Sequence, residues 1–374
     1  MLRKFFVAVF ATCVSALSFA QDASVAVNGS NTSTTTKKLE EPETEKKPLL
    51  TFSGSADVYY RYDFAKTKAN NYTSFTNSHN AFALGMASVK IEHKGDKVGF
   101  VADLGFGTRA KEFAYNDEGI TQSIKQLYIS YSPAEWIKLT AGSWATHVGY
   151  ELVDPQLNRN YSMSYMFTNG PFTHTGLKAE LTKGKHGFMV GISNATDYRM
   201  PPDGQINKKF LLAQYSLAFT DNVKLFLNYV GGQAPDTSKG NQIDAVLTAK
   251  FSDKFSIGYN GTVNSTKSWD GEKNVDAKSW WGSALYFNLD PQPWFGLTLR
   301  GELFSDKNQL KVFSMAPEGG NIFATTLSAN FKAGGFIFIP EFRIDAASKD
   351  VFVNKDGAPV SSATSFLLAA IYSF

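Results

Sequence analysis

From Leu49 onward the chain repeats a period of two. Between Thr51 and Phe64, Phe52, Gly54, Ala56, Val58, Tyr60, Tyr62 and Phe64 alternate with Thr51, Ser53, Ser55, Asp57, Tyr59, Arg61 and Asp63. Side chains alternate across a strand, so this spacing builds one apolar and one polar wall, and it does not suit a helix. The pattern returns with Val223, Leu225, Leu227 and Tyr229 against Lys224 and Asn228. It returns again with Phe295, Leu297, Leu299, Gly301 and Leu303 against Thr298, Arg300 and Glu302. The chain is all-β.

Sixteen such segments are predicted, near 50–64, 81–93, 97–108, 122–132, 136–143, 172–183, 186–196, 208–220, 222–232, 241–252, 254–265, 277–289, 294–306, 320–332, 335–346 and 362–374. Seven connections are tight and turn-forming. Eight are longer and polar, the longest at 144–171. Short connections on one side and long ones on the other predict a transmembrane antiparallel β-barrel, with tight periplasmic turns and external loops. A soluble sandwich also alternates, but three features favour the barrel. The apolar segments are about ten residues long, as a tilted membrane strand requires. Aromatics gather in two girdles, Tyr131, Phe219, Phe251, Phe255, Phe295, Phe331, Phe336 and Tyr372 at one end, Tyr62, Phe64, Phe106 and Tyr229 at the other. The chain also finishes on an alternating strand ending in Phe374, which resembles the signal read by barrel-assembly machinery. In the second strand Phe82, Leu84 and Met86 compete with Ala83, Ala87, Val89 and Ile91 for the outer face, so fourteen or eighteen strands remain open. Pro340 falls inside a predicted strand, where a bulge or a water-satisfied neighbour is expected.

The barrel is preceded by two segments of different character. Arg3 and Lys4, the apolar run Phe5 to Leu17 and the small residues of Ser18-Phe19-Ala20 predict a secretory signal peptide at 1–20. A lipidated Cys13 is the rival reading, but Phe10-Ala11-Thr12 is a poor approach to such a cysteine. Residues 21–48, ending in KKLEEPETEKKP, read as a disordered periplasmic tail too polar to offset its ordering entropy; a peptidoglycan contact or a partial plug is the alternative. Removing the leader takes the only cysteine with it and lowers the net charge from +3 to +1. Disulfide chemistry is thereby excluded, and no basic footprint for nucleic acid remains.

The stretch Gly149-Tyr150-Glu151, Asn160-Tyr161-Ser162 and Phe167-Thr168-Asn169-Gly170-Pro171-Phe172-Thr173-His174-Thr175-Gly176 resembles the OmpL-like β-barrel porins of Bacteroidota-type bacteria. The resemblance runs in outline from Leu49 to Phe374. It implies an outer-membrane channel in contact with lipid, passing small polar solutes, and brings no defined substrate. Trimers are common among sixteen-stranded porins, so a homotrimer is one expectation.

Sixteen strands enclose an aqueous lumen rather than a side-chain core. The polar faces place Arg61, Lys90, Lys138, Lys178, Lys224, Lys250, Arg300 and Arg343 inward, with Asp57, Asp63, Glu92, Asp103, Glu180, Asp244, Glu302, Glu341 and Asp345. Bases and acids nearly balance, so strong ion selectivity is not expected. Loop 144–171 is expected to fold inward and narrow the channel with Tyr150, Glu151, Asp154, Arg159 and Tyr161, its acids opposing some of Arg61, Arg300 and Arg343. Three further readings are weighed. Trp144, Trp280, Tyr286 and Tyr59 could serve a saccharide channel as stacking surfaces; a closed structural or adhesion barrel would not conduct. An enzyme is disfavoured, because His79, His93, His147, His174 and His186 show no catalytic or metal-ligand spacing, and no phosphate loop or cofactor motif is present.

Overall fold

The structure, a computed structural model, describes residues 49–202 and 208–374; the predicted leader and tail lie outside the described residues. Eighteen strands follow in order: β1 (Leu49–Asp63), β2 (Ala81–Lys94), β3 (Val98–Phe106), β4 (Ile124–Ala134), β5 (Ile137–Ala145), β6 (Thr173–Lys183), β7 (His186–Ser193), β8 (Phe210–Thr220), β9 (Val223–Gln233), β10 (Lys239–Ser252), β11 (Phe255–Lys267), β12 (Lys278–Gln292), β13 (Phe295–Asp306), β14 (Gly320–Ala333), β15 (Phe336–Ala347), β16 (Phe352–Val353), β17 (Pro359–Val360) and β18 (Ser362–Ser373). β1–β15 and β18 close an antiparallel barrel, while β16 and β17 form a small ribbon inside the last long loop. These sixteen barrel strands are the sixteen read from the sequence. Two short helices lie in the long loops, α1 (Thr108–Ala114) and α2 (Tyr165–Asn169). Among the described residues no helix is long and apolar enough to cross a membrane; the strands do the crossing.

Burial separates barrel from sandwich. The apolar face is the exposed one: Val58 is 47% exposed, Ile129 60% and Ile243 58%, whereas the inward Asp57, Asp244 and Glu302 are 4%, 1% and 0%. A sandwich would bury the apolar set. Here it forms the lipid-facing band, capped at the turn end by paired rings, Phe251 stacked on Phe255 and Phe295 tilted against Phe331.

Two register shifts change which way side chains point. Between Ala56 and Val58 the pairing of β1 with β2 slips by one residue. Phe82 and Leu84 therefore face outward before the slip, and Ala87 and Val89 after it, while Met86 turns inward and is buried. Phe82 and Leu84 of one set and Ala87 and Val89 of the other thus share the outer face, joined by a bulge, while Ala83 packs inward beside Tyr59. A second slip, opposite Asp103 and Leu104, lets both Lys125 and Gln126 of β4 reach the polar side, where each bonds Asp103. Pro340 behaves differently from expectation. The β14–β15 register runs through without a shift, and the ladder simply opens opposite Ile339 and Pro340. An absent N–H there costs a pairing and not the alignment.

The seam closes at the chain end. Gly54 and Phe374 exchange backbone hydrogen bonds of 3.1 and 3.0 Å, and the Phe374 ring covers the space a Gly54 side chain would need.

Candidate functional site: a loop tied across the lumen

The long connection 146–172, termed L3, folds into the barrel and is held there by a series of named partners. Trp144, placed in this loop by the sequence reading, belongs instead to the end of β5. L3 starts along the wall of β9 and β10. The His147 Nε2 lies 3.1 Å from the Tyr229 carbonyl, and the Gly149 amide donates to Asp244 at 3.1 Å. Tyr150 then packs over Gly258, where a side chain would collide with it, and stacks on Tyr286 with ring centroids 4.2 Å apart.

From there the loop crosses the lumen. Glu151 accepts a 2.5 Å hydrogen bond from Arg300 of β13. Three residues later Asp154 accepts one of 2.5 Å from Lys125 of β4, which also reaches Asp103 at 3.1 Å. A 3-10 turn, Pro155–Leu157, reverses the chain. Arg159 next makes a two-pronged contact with Asp290, at 2.9 and 2.7 Å, and donates to Thr298 at 2.8 Å. Asp290 stands two residues from the end of β12, so the tip of an external loop is anchored beside a periplasmic turn.

The return segment is held by its backbone. Glu341 accepts from the amides of Tyr161 (2.8 Å) and Ser162 (3.2 Å), Glu151 from Ser164 (2.8 Å), and Glu302 from Tyr165 and Met166 (2.8 Å each). Glu302 thus meets free amides of the first turn of α2, which no residue inside the helix can satisfy. Ser164 caps the same turn by accepting from Phe167 at 3.0 Å. Arg300 also donates to the Ser162 carbonyl (2.7 Å) and Arg343 to that of Met163 (2.7 Å), with Arg343 braced by Asp345 at 2.9 Å. Carboxylates take the donors and guanidinium groups the acceptors, so a segment without strand partners has both backbone functions met.

Tyr161 is fully buried. Its hydroxyl donates to Asp57, which also accepts the bulge amide of Met86 at 2.9 Å. Burial, with the Asp57 carboxylate adding to it, holds the phenol well above its ordinary value, so it keeps the proton it donates. The guanidinium of Arg109, from α1, lies 4.6 Å from the Tyr161 ring and 4.8 Å from that of Phe75. The chain just after β7 fixes the end of L3: Asp197 accepts from the amides of Phe172 (2.7 Å) and Thr173 (2.8 Å), and burial pushes its carboxyl up to about 6.

The remaining wall residues divide in two. Asp57, Arg61, Arg300, Glu302, Glu341 and Arg343 are buried in these contacts; Arg61 pairs with Asp63 at 3.1 Å and donates to the Ser78 carbonyl. Lys138, Lys178 and Glu180 stay partly open, the last two paired at 3.3 Å. Asp154 meets Lys125 and none of the three arginines named for it. Lys125 and Arg109 escaped sequence reading, the first because strict alternation from Leu127, Ile129 and Tyr131 points it at lipid, the second because it sits in a loop. Trp144, Trp280, Tyr286 and Tyr59 are all at least 96% buried, so none offers a face for a sugar. Among the described residues no group of three His, Cys, Asp or Glu is placed to hold a metal ion.

A family model described as "Putative beta-barrel porin-2, OmpL-like" matches residues 49–374. Similar solved structures include an anion-selective porin from Comamonas acidovorans, with 10% identity, 88% of this chain and 100% of that chain covered, and a TM-score of 0.60. The outer membrane channel DcaP of Acinetobacter baumannii has 12% identity, 90% and 100% covered, and a TM-score of 0.59. OmpT of Vibrio cholerae, in vitro folded and in a trimer form, has 10% identity, 87% and 99% covered, and a TM-score of 0.58. No curated protein sequence matches the chain.

Proposed function

The chain belongs to the OmpL-like β-barrel porin family, and we propose that its passive outer-membrane channel for small hydrophilic solutes is sized by L3, with Glu151, Asp154 and Arg159 as the ties that set the constriction. The observation that carries this is the crossing itself: Glu151 on β13 and Asp154 on β4 stretch one short segment between opposite walls. Solutes pass beside that crossing, and the partly exposed Gln156, Asn158 and Arg159 that follow it meet them with polar groups. The buried carboxylates and guanidinium groups of the crossing are occupied in holding the loop. The burial of the tryptophans and tyrosines weighed for sugar stacking removes the support for a saccharide-specific path.

Assembly as a homotrimer is part of the same proposal, supported by the trimer form of the Vibrio cholerae OmpT and testable by mass measurement in detergent. The channel reading is tested by single-channel recording of purified, folded protein in planar bilayers. Stable, ohmic steps are expected, smaller than those of a variant lacking 151–160. Folded protein that never conducts would overturn it.

A further inference from the structure

We propose that the channel prefers small anions, such as carboxylates and phosphate, which it draws through a lysine-lined vestibule on the periplasmic half of the lumen; the proposal rests on the diffusion-channel reading above. By sequence alone the inward acids and bases nearly cancel. Burial undoes that balance, because it removes the two signs unequally. Asp57, Asp63, Asp103, Asp244, Glu302 and Glu341 are each no more than 4% exposed and are held by backbone amides, Asn and Ser side chains, or buried bases. A solute in the lumen does not touch them.

The inward lysines near the turns remain accessible. Lys138 is the second residue of β5, Lys224 the second of β9 and Lys250 the third from the end of β10, which puts all three beside periplasmic turns. Lys178, Lys90 and Lys332 face the same half, and all six are partly exposed. Against them stand Glu92, Glu180 and Asp290, and Asp290 is already taken by Arg159. Lys250 pairs with Asp253, which lies out on the exposed turn at 2.7 Å. Lys138 and Lys224 have no acid within 4 Å among the described residues. Along β5 to β10 the start of L3 touches the wall at His174, Gln214, Tyr229 and Asp244, farther from the turns than Lys138, Lys224 and Lys250, and its return segment is tied instead to β13–β15 and β1. Unneutralised charge of one sign on a low-dielectric wall concentrates the opposite ion, so the open sector carries a positive potential.

The test is the reversal potential of folded protein in a planar bilayer under a potassium chloride gradient. A potential of the sign set by chloride is expected, with chloride favoured several-fold over potassium. Lys138→Gln with Lys224→Gln should sharply reduce the preference for chloride, and neutral side chains at these partly open sites place no like charge opposite Glu180, which faces Lys138 across the β5–β6 pair. Current block should be stronger with phosphate than with glucose at equal concentration. Open steps with no preference, or with a preference for potassium, overturn the proposal and leave the diffusion channel standing. A preference for chloride that the double variant leaves unchanged also overturns it, since the lysines then do not set it. Folded protein without any current overturns the channel reading and this proposal together.

Discussion

Glu151 and Asp154 stand three residues apart in L3, yet their carboxylates are bound by bases on nearly opposite walls, Arg300 of β13 and Lys125 of β4. Around the barrel those strands are separated by nine steps one way and seven the other. Three extended residues span only about 10 Å, so the rest of the width is covered by the two longest cationic side chains available. The crossing is thus a property of side-chain length as much as of charge.

Glu151→Gln is expected to loosen the loop. The Arg300 guanidinium is fully buried, and removing its counter-charge costs about 3–5 kcal/mol. Denaturant titration in detergent should register the loss, and single-channel records should turn noisier. Quiet records with unchanged unfolding would mean that the Ser162 and Met163 carbonyls alone suffice for Arg300.

Gly85→Ala tests the bulge. A β-carbon there would fall 1.7 Å from the Asp57 carboxylate, which must then leave the Met86 amide and the Tyr161 hydroxyl. Forced overpacking of this kind costs about 1–3 kcal/mol, and heat-modified mobility on gels should appear at lower temperature. Wild-type behaviour would show that Asp57 is not the bulge's keeper.

Arg159→Lys keeps the charge and loses the fork. The paired contacts to Asp290 and the reach to Thr298 need a planar guanidinium, which an ammonium cannot imitate. Because Arg159 is partly exposed, global stability should change by less than about 1 kcal/mol. Open-channel current noise should rise instead; unaltered noise would count against the tip anchor.

Acid should unseat the start of L3. Burial lowers the His147 imidazole from its ordinary 6.5 to about 4, in the company of His174, Lys178 and Glu180. Between those values the withdrawn loop binds a proton that the seated loop does not. The seated state is therefore fully favoured above about pH 6.5 and loses up to about 3 kcal/mol as the pH falls to about 4. Thermal midpoints followed from pH 7 to 4 should drop, and His147→Gln should flatten that slope. An equally steep slope in the variant would assign it to other groups.

The strands were legible because alternation is a local signal, and the strand count survived even where faces were mixed. The exceptions have one cause. At Gly85-Met86 and at Lys125 a register slip lets neighbouring residues share a face, and nothing in a single strand's pattern marks a slip set by its partner. The loop is a different case. Its inward course was readable from length and position, but Lys125 as the partner of Asp154, or Asp290 as that of Arg159, depends on which walls the loop meets after closure. The aromatic residues weighed as stacking surfaces are covered for a related reason: Trp144 and Trp280 point inward as alternation requires, and both are buried.

Tyr161 adds a constraint in time. Its amide is held by Glu341 of β15 and its hydroxyl by Asp57 of β1, contacts 180 and 104 residues away along the chain. Those two strands flank β18 at the seam, so the first and last parts of the sequence must already be neighbours before this tyrosine has a seat. Contacts of such span form late, since the intervening chain must be ordered first. Seating of Tyr161 therefore marks the end of assembly, and a barrel caught before its ends have joined would still have its constriction unmade.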